Sequence, residues 1–110
     1  DTEKAVPLIV ASARQNLPEA VKKLAEMYWK GDGIAVNYEN SILWRKRLVD
    51  IYERKFDEIK DPEEMLKYIQ ALENLATCLY ELNSFRDSLL YAKQLAKLME
   101  QITSFSGFFG

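Results

Sequence analysis

The stretch that most restricts the fold runs from Leu17 to Val49, LPEAVKKLAEMYWKGDGIAVNYENSILWRKRLV. Gly31 and Gly33 stand between two segments of helical apolar spacing, so the chain must leave one helix, turn through positive φ and enter another. Before the glycines, Pro18 suits a first helical turn, and Ala20, Leu24, Ala25, Met27 and Tyr28 approximate a 3.6-residue period up to Lys30. After them, Asn37 can cap a long helix expected from Tyr38 to Lys60, with Ile42, Leu48, Val49, Tyr52, Phe56 and Ile59 on its apolar side. Small and aromatic residues fall where two antiparallel helices would touch, so the stretch is read as a helical hairpin.

The remainder is helical by the same criteria. Residues 3–16 form an expected helix in which Pro7 is early enough to be tolerated, with Val6, Ile9, Val10 and Ala13 on one side. Asp61, Pro62, Glu63 and Glu64 make a strong helix start, and Met65, Ile69, Leu72, Leu75, Ala76, Leu79 and Leu82 continue it. Asn83 and Ser84 form a short turn into a fifth helix, Phe85 to Ile102, whose inner side is expected at Leu89, Ala92, Leu95, Ala96 and Met99. Apolar residues nowhere settle into strand-like alternation, so the fold class is all-α. The last segment, 103–110, places Phe105, Phe108 and Phe109 among glycines. These rings are expected to cap the terminal hairpin or to enter a neighbouring molecule, a route to self-association.

Composition narrows function mainly by exclusion. With 110 residues, 48 % hydrophobic and 29 % charged, the chain is expected to form a single domain with a real core. A net charge of -2 gives no basic field, and Arg45, Lys46 and Arg47 point about 100° apart on a helix, so no nucleic acid is expected as partner. Trp44 is read as packing between hairpins. Without histidine, Ser-His-Asp and Cys-His nucleophiles and histidine-bound metals cannot be assembled from this chain. The lone Cys78 rules out an intrachain disulfide and is read as a small buried residue, with a reducing, cytoplasmic location expected. The paired glycines lack a preceding strand and a following lysine, so they read as a turn and not as a phosphate cradle. Asp57, Glu58, Asp61, Glu63 and Glu64 read as solvated helix ends and not as a cation site. No enzyme, cofactor, metal site or membrane span is expected, since no apolar run reaches about 18 residues. Asp1 in place of methionine points to a piece of a longer chain.

The unit beginning at Ala20 resembles a Sel1-like repeat, a relative of the tetratricopeptide repeat. The resemblance rests on Ala20, Leu24, Ala25 and Tyr28, on Gly31-Asp32-Gly33-Ile34 in the turn, and on Asn37, Tyr38, Ser41, Ile42 and Trp44. From Ala71 to Ala96 the chain is similar to an ordinary tetratricopeptide repeat, with Asn74-Leu75-Ala76, Leu82-Asn83 and Phe85, and Ser88 where that family usually has alanine. Leu48 and Val49 depart from the small pair expected of the Sel1-like second helix. On this reading 1–16 is the end helix of a preceding unit, 17–60 a Sel1-like hairpin, 61–102 a tetratricopeptide-like hairpin and 103–110 an aromatic tail. The resemblance implies a short right-handed superhelical α-solenoid of antiparallel hairpins, about five helices in all.

It also implies a working surface, because in such repeats the first helix of each unit lines a concave groove. That places Lys22, Lys23, Glu26, Trp29 and Lys30, with Asn74, Thr77 and Tyr80, on a groove for a protein or peptide partner, an acidic segment being the best match. Periodicity agrees, since these are positions left over once the apolar ladders are removed. The expected function is a non-enzymatic interaction scaffold. The alternative is a structural or oligomerising spacer, or a regulatory segment, of a larger protein.

Overall fold

The computed structural model describes residues 2–104. It contains five α-helices, α1 (Thr2–Arg14), α2 (Pro18–Lys30), α3 (Tyr38–Arg54), α4 (Pro62–Glu81) and α5 (Phe85–Ser104), with a short 3-10 helix at Phe56–Glu58. Among the described residues there is no strand, and no helix is long and apolar enough to cross a membrane. The aromatic tail, with Phe105, Phe108 and Phe109, lies outside the described residues. The chain divides into two compact units, Asp1–Ile51 and Tyr52–Gly110, with the boundary inside the last turns of α3.

In the first unit α1 packs on α2. Asn16 takes a left-handed φ of 62°, which breaks α1, and Pro18 opens α2 behind an extended Leu17. Ala13, Val21, Leu24, Ala25 and Met27 are almost completely buried. Val21 is the core residue absent from the expected ladder, whereas Ala20 and Tyr28 are only half-buried. Gly31 ends α2 with φ 75°, its N–H donating to the Met27 carbonyl at 2.8 Å. A Cβ at Gly31 would come within 2.7 Å of Val36 Cγ2, so this turn needs glycine for both conformation and space. The Asn37 side chain then caps α3, accepting from the Asn40 N–H at 3.0 Å.

α3 meets α2 at Ser41, whose fully buried hydroxyl donates to the Ala25 carbonyl at 2.7 Å. Backbone approach is nevertheless closest for α1 with α2 and for α4 with α5. The hairpin expected to organise the chain is thus the more open one. Leu48 and Val49, further along α3, are both buried.

α3 is shorter than the expected Tyr38–Lys60. It stops at Arg54, and the chain continues through the 3-10 turn to an extended Ile59 (φ -76°, ψ 110°) before Asp61 caps α4. Asp61 must be extended because it precedes proline, and its Oδ1 accepts from the Glu63 N–H at 3.1 Å. Ile59 is buried all the same, so the apolar spacing was right and the helical continuation was not.

In the second unit α4 and α5 form a close antiparallel pair. Leu72 and Leu75 are fully buried, with Met65, Tyr68, Ala71, Cys78 and Leu79 around them. Tyr52 stacks on Tyr68 at 5.8 Å between ring centroids, and Phe56 meets Tyr68 edge-on at 6.2 Å. Lys55 Nζ pairs with Glu64 Oε2 at 2.8 Å, tying the end of α3 to the first turn of α4. Of the expected inner face of α5, Leu89, Ala92, Leu95, Ala96 and Met99, only Leu95 is turned partly inward. Ser88, Leu98 and Ile102 are buried, while Leu89, Ala92, Ala96 and Met99 face solvent. Ser88 sets this rotation, since its hydroxyl donates to the Ala76 carbonyl at 2.7 Å.

Candidate functional site

The eight residues singled out from the sequence fall into two groups, one in each unit. On α2, Lys22, Lys23 and Lys30 are exposed and Glu26 and Trp29 half-buried. They occupy successive turns of one helix face, spanning about 12 Å of helix axis. On α4, Asn74, Thr77 and Tyr80 are all exposed and spaced so that they share one face over about 9 Å.

Trp29 is the best-fixed member of the first group. Its ring packs against Tyr38 at 4.8 Å between centroids with a 60° tilt, and the Arg45 guanidinium lies 5.7 Å from its centroid. Arg45 is held in turn, its Nε donating to Ser41 Oγ at 3.2 Å. The indole is therefore not the free-standing surface ring expected from the sequence. It is clamped between a phenol and a cation, with Lys22, Lys23 and Lys30 on its own helix. Arg45 belongs to this neighbourhood, although the sequence offers it only as one of three consecutive cations pointing about 100° apart. The signal that could have found it is the i, i+4 step from Ser41, because a serine buried against α2 carries the residue one turn later towards the same helix.

On α4 the Tyr80 ring meets Phe85 edge-on at 5.1 Å between centroids. Tyr80 remains 64 % exposed, so this contact orients the ring without burying it. Asn74 and Thr77 carry the same face towards the middle of the helix.

The second unit also holds an open pocket of about 230 Å³ beside Tyr68, lined among others by Glu53, Gln94, Lys97 and Gln101. Gln94 Nε2 donates to Glu53 Oε2 at 3.3 Å. Burial raises the Tyr68 pKa above its ordinary value, with the Glu53 carboxylate adding to the rise and a hydrogen bond with Gln94 opposing it. Tyr91 is shifted the same way, first by burial and then by Asp87 and Glu53. Both phenols are thus held protonated, which makes them hydrogen-bonding and packing groups at neutral pH and not bases. The pocket escaped the sequence reading because it depends on where α3 ends.

The acidic residues near the start of α4 have structural partners. Asp61 caps the helix and Glu64 pairs with Lys55. Among the described residues no group of three or more acidic or cysteine side chains is placed to hold a metal ion. Trp44 is half-buried with the Arg47 guanidinium 5.2 Å from its ring centroid.

No protein-family model matches this chain, and no curated protein and no solved structure matches it.

Proposed function

We propose that this chain is a non-enzymatic protein-interaction module of the Sel1-like and tetratricopeptide kind, a short right-handed α-solenoid that binds an acidic peptide segment. The observation that carries the reading is the α2 face, which carries exposed Lys22, Lys23 and Lys30 together with a Trp29 ring already fixed by Tyr38 and Arg45. A ring with few rotamers left to lose costs little entropy on binding, and lysines supply charge-assisted hydrogen bonds to carboxylates. Asn74, Thr77 and Tyr80 on α4 present amide, hydroxyl and aromatic groups on an exposed face of the second unit. The hairpins support the repeat reading through a shared device: in both, a serine of the second helix donates to an alanine carbonyl of the first, Ser41 to Ala25 and Ser88 to Ala76, each at 2.7 Å.

The test is fluorescence anisotropy against peptides recovered from an Asp/Glu-rich displayed library. Lys22→Glu with Lys23→Glu is expected to weaken binding at least about tenfold and to leave the melting temperature unchanged, since exposed charges contribute little to folding. Raising salt should weaken the wild-type complex. A library that yields no binder, or binders indifferent to both substitutions, rejects the groove and leaves the spacer reading.

A further inference from the structure

We propose that α5 is a docking surface for a second copy of this chain, the two helices packing antiparallel across a two-fold axis. Phe85, Leu89 and Met99 are 53 %, 55 % and 41 % exposed, and Ala92 and Ala96 between them are exposed as well. Their spacing of four, three, four and three residues is the heptad spacing of a helix-to-helix seam. The stripe lies one residue, about 100°, around the helix from the buried seam at Ser88, Leu98 and Ile102, so the helix carries two apolar stripes and the fold uses one. It runs for about 21 Å from Phe85 to Met99. At its centre the two alanines allow helix axes to approach to about 8 Å, with larger side chains closing both ends.

The charges beside the stripe say what covers it. Arg86, Lys93 and Glu100 recur every seven residues along its outer edge. Place a two-fold axis between Ala92 and Ala96. Leu89 then lies against the partner's Met99, Ala92 against the partner's Ala96, and Arg86 beside the partner's Glu100, an ion pair made twice by symmetry. Lys93 alone meets its own copy, at the axis, where long side chains can turn their ammonium groups to water. Parallel pairing fails this test because Arg86 and Glu100 would sit about 21 Å apart along the seam. A single helix pair is smaller than a standard interface, so the dimer is expected in roughly the micromolar range.

Sedimentation velocity on the full chain from about 5 µM to about 1 mM reads the dissociation constant directly. Ala96→Glu places a charge at the closest approach and should weaken dimerisation about a hundredfold, while circular dichroism stays unchanged because the position is exposed and glutamate is a good helix former. Arg86→Glu and Glu100→Arg should each weaken it about tenfold, since each turns two attractions into two repulsions. The double variant, or an equimolar mixture of the two single variants, should recover the wild-type constant, because either restores both pairs. Lys93→Gln should tighten it. A chain that stays monomeric throughout, or a dimer indifferent to the charge swap, overturns the proposal. So does a chain that associates only after Phe105, Phe108 and Phe109 are all changed to serine, which would assign the stripe to the chain's own C-terminal residues. Lys22→Glu with Lys23→Glu should leave the dimer unaffected, so the peptide groove and this surface fail independently.

Discussion

Replacing Ser41 by alanine tests the contact on which the first unit's hairpin turns. The hydroxyl is fully buried, donates to the Ala25 carbonyl at 2.7 Å and accepts from Arg45 Nε at 3.2 Å. Ala25 lies inside α2, so its carbonyl keeps a helical N–H when the serine is removed, and Arg45 is only half-buried and can turn to water. The loss is therefore the net value of one good buried hydrogen bond plus part of a second, about 1 to 1.5 kcal/mol, and not a full desolvation penalty. In a domain near 100 residues that is a fall of roughly 5 to 10 °C in melting temperature, read by circular dichroism. Ser41→Val should be worse than alanine, because a methyl carbon cannot sit 2.7 Å from a carbonyl oxygen and the helices must part, at a cost of about 1 to 3 kcal/mol. Ser88→Ala loses one such bond, without an arginine behind it, and should cost about 1 kcal/mol or slightly less. A Ser41→Ala protein as stable as the parent, or valine tolerated better than alanine, would refute this account of the α2–α3 contact.

Two further outcomes follow from the second unit. Leu75 is fully buried in α4, so Leu75→Asp should cost several kcal/mol, on the order of 4, and leave the chain largely unfolded by circular dichroism; an unchanged melting temperature would remove α4 from the core. Tyr68 has a folded pKa raised above its unfolded value near 10, so the folded state holds the proton more tightly and its contribution, complete below about pH 10, is lost as pH rises through the folded pKa. Tyr68→Phe should therefore flatten the alkaline fall in denaturant midpoint above about pH 10, and an equally steep fall in the variant would refute the shift.

Where the chain carries hard backbone constraints, its helices were legible to the residue. α2 begins at Pro18 and ends before Gly31, and α4 begins at Pro62 behind Asp61, because proline and left-handed glycine leave few alternatives. The end of α3 was not legible. No glycine or proline lies between Asp50 and Lys60, and Phe56 and Ile59 continue the apolar period that a helix would need. The chain buries Ile59 by another path, a 3-10 turn and an extended residue, and hydrophobic spacing cannot distinguish the two. The candidate site divides likewise. Lysines left off an apolar ladder are found by subtraction, whereas the clamp on Trp29 needs the register of α3 on α2, which one hydrogen bond from Ser41 determines.

The rotation of α5 is the instructive miss. Its sequence carries two apolar sets one residue apart, Tyr91, Leu95, Leu98 and Ile102 beside Leu89, Ala92, Ala96 and Met99. Either would give a strong helical period, and the second contains more small residues of the kind that let helices approach. Hydrophobicity is thus degenerate between two rotations about 100° apart, and a polar contact separates them. Only the rotation that turns Ser88 inward lets its hydroxyl reach the Ala76 carbonyl, a hydrogen bond worth about 1 kcal/mol that the other rotation forgoes. The set that loses this competition stays at the surface in an arrangement already suited to another helix. Burying a helix on one side alone needs a single apolar stripe; a second, with charges that complement themselves across a two-fold axis, points to a second packing event made after the chain has folded.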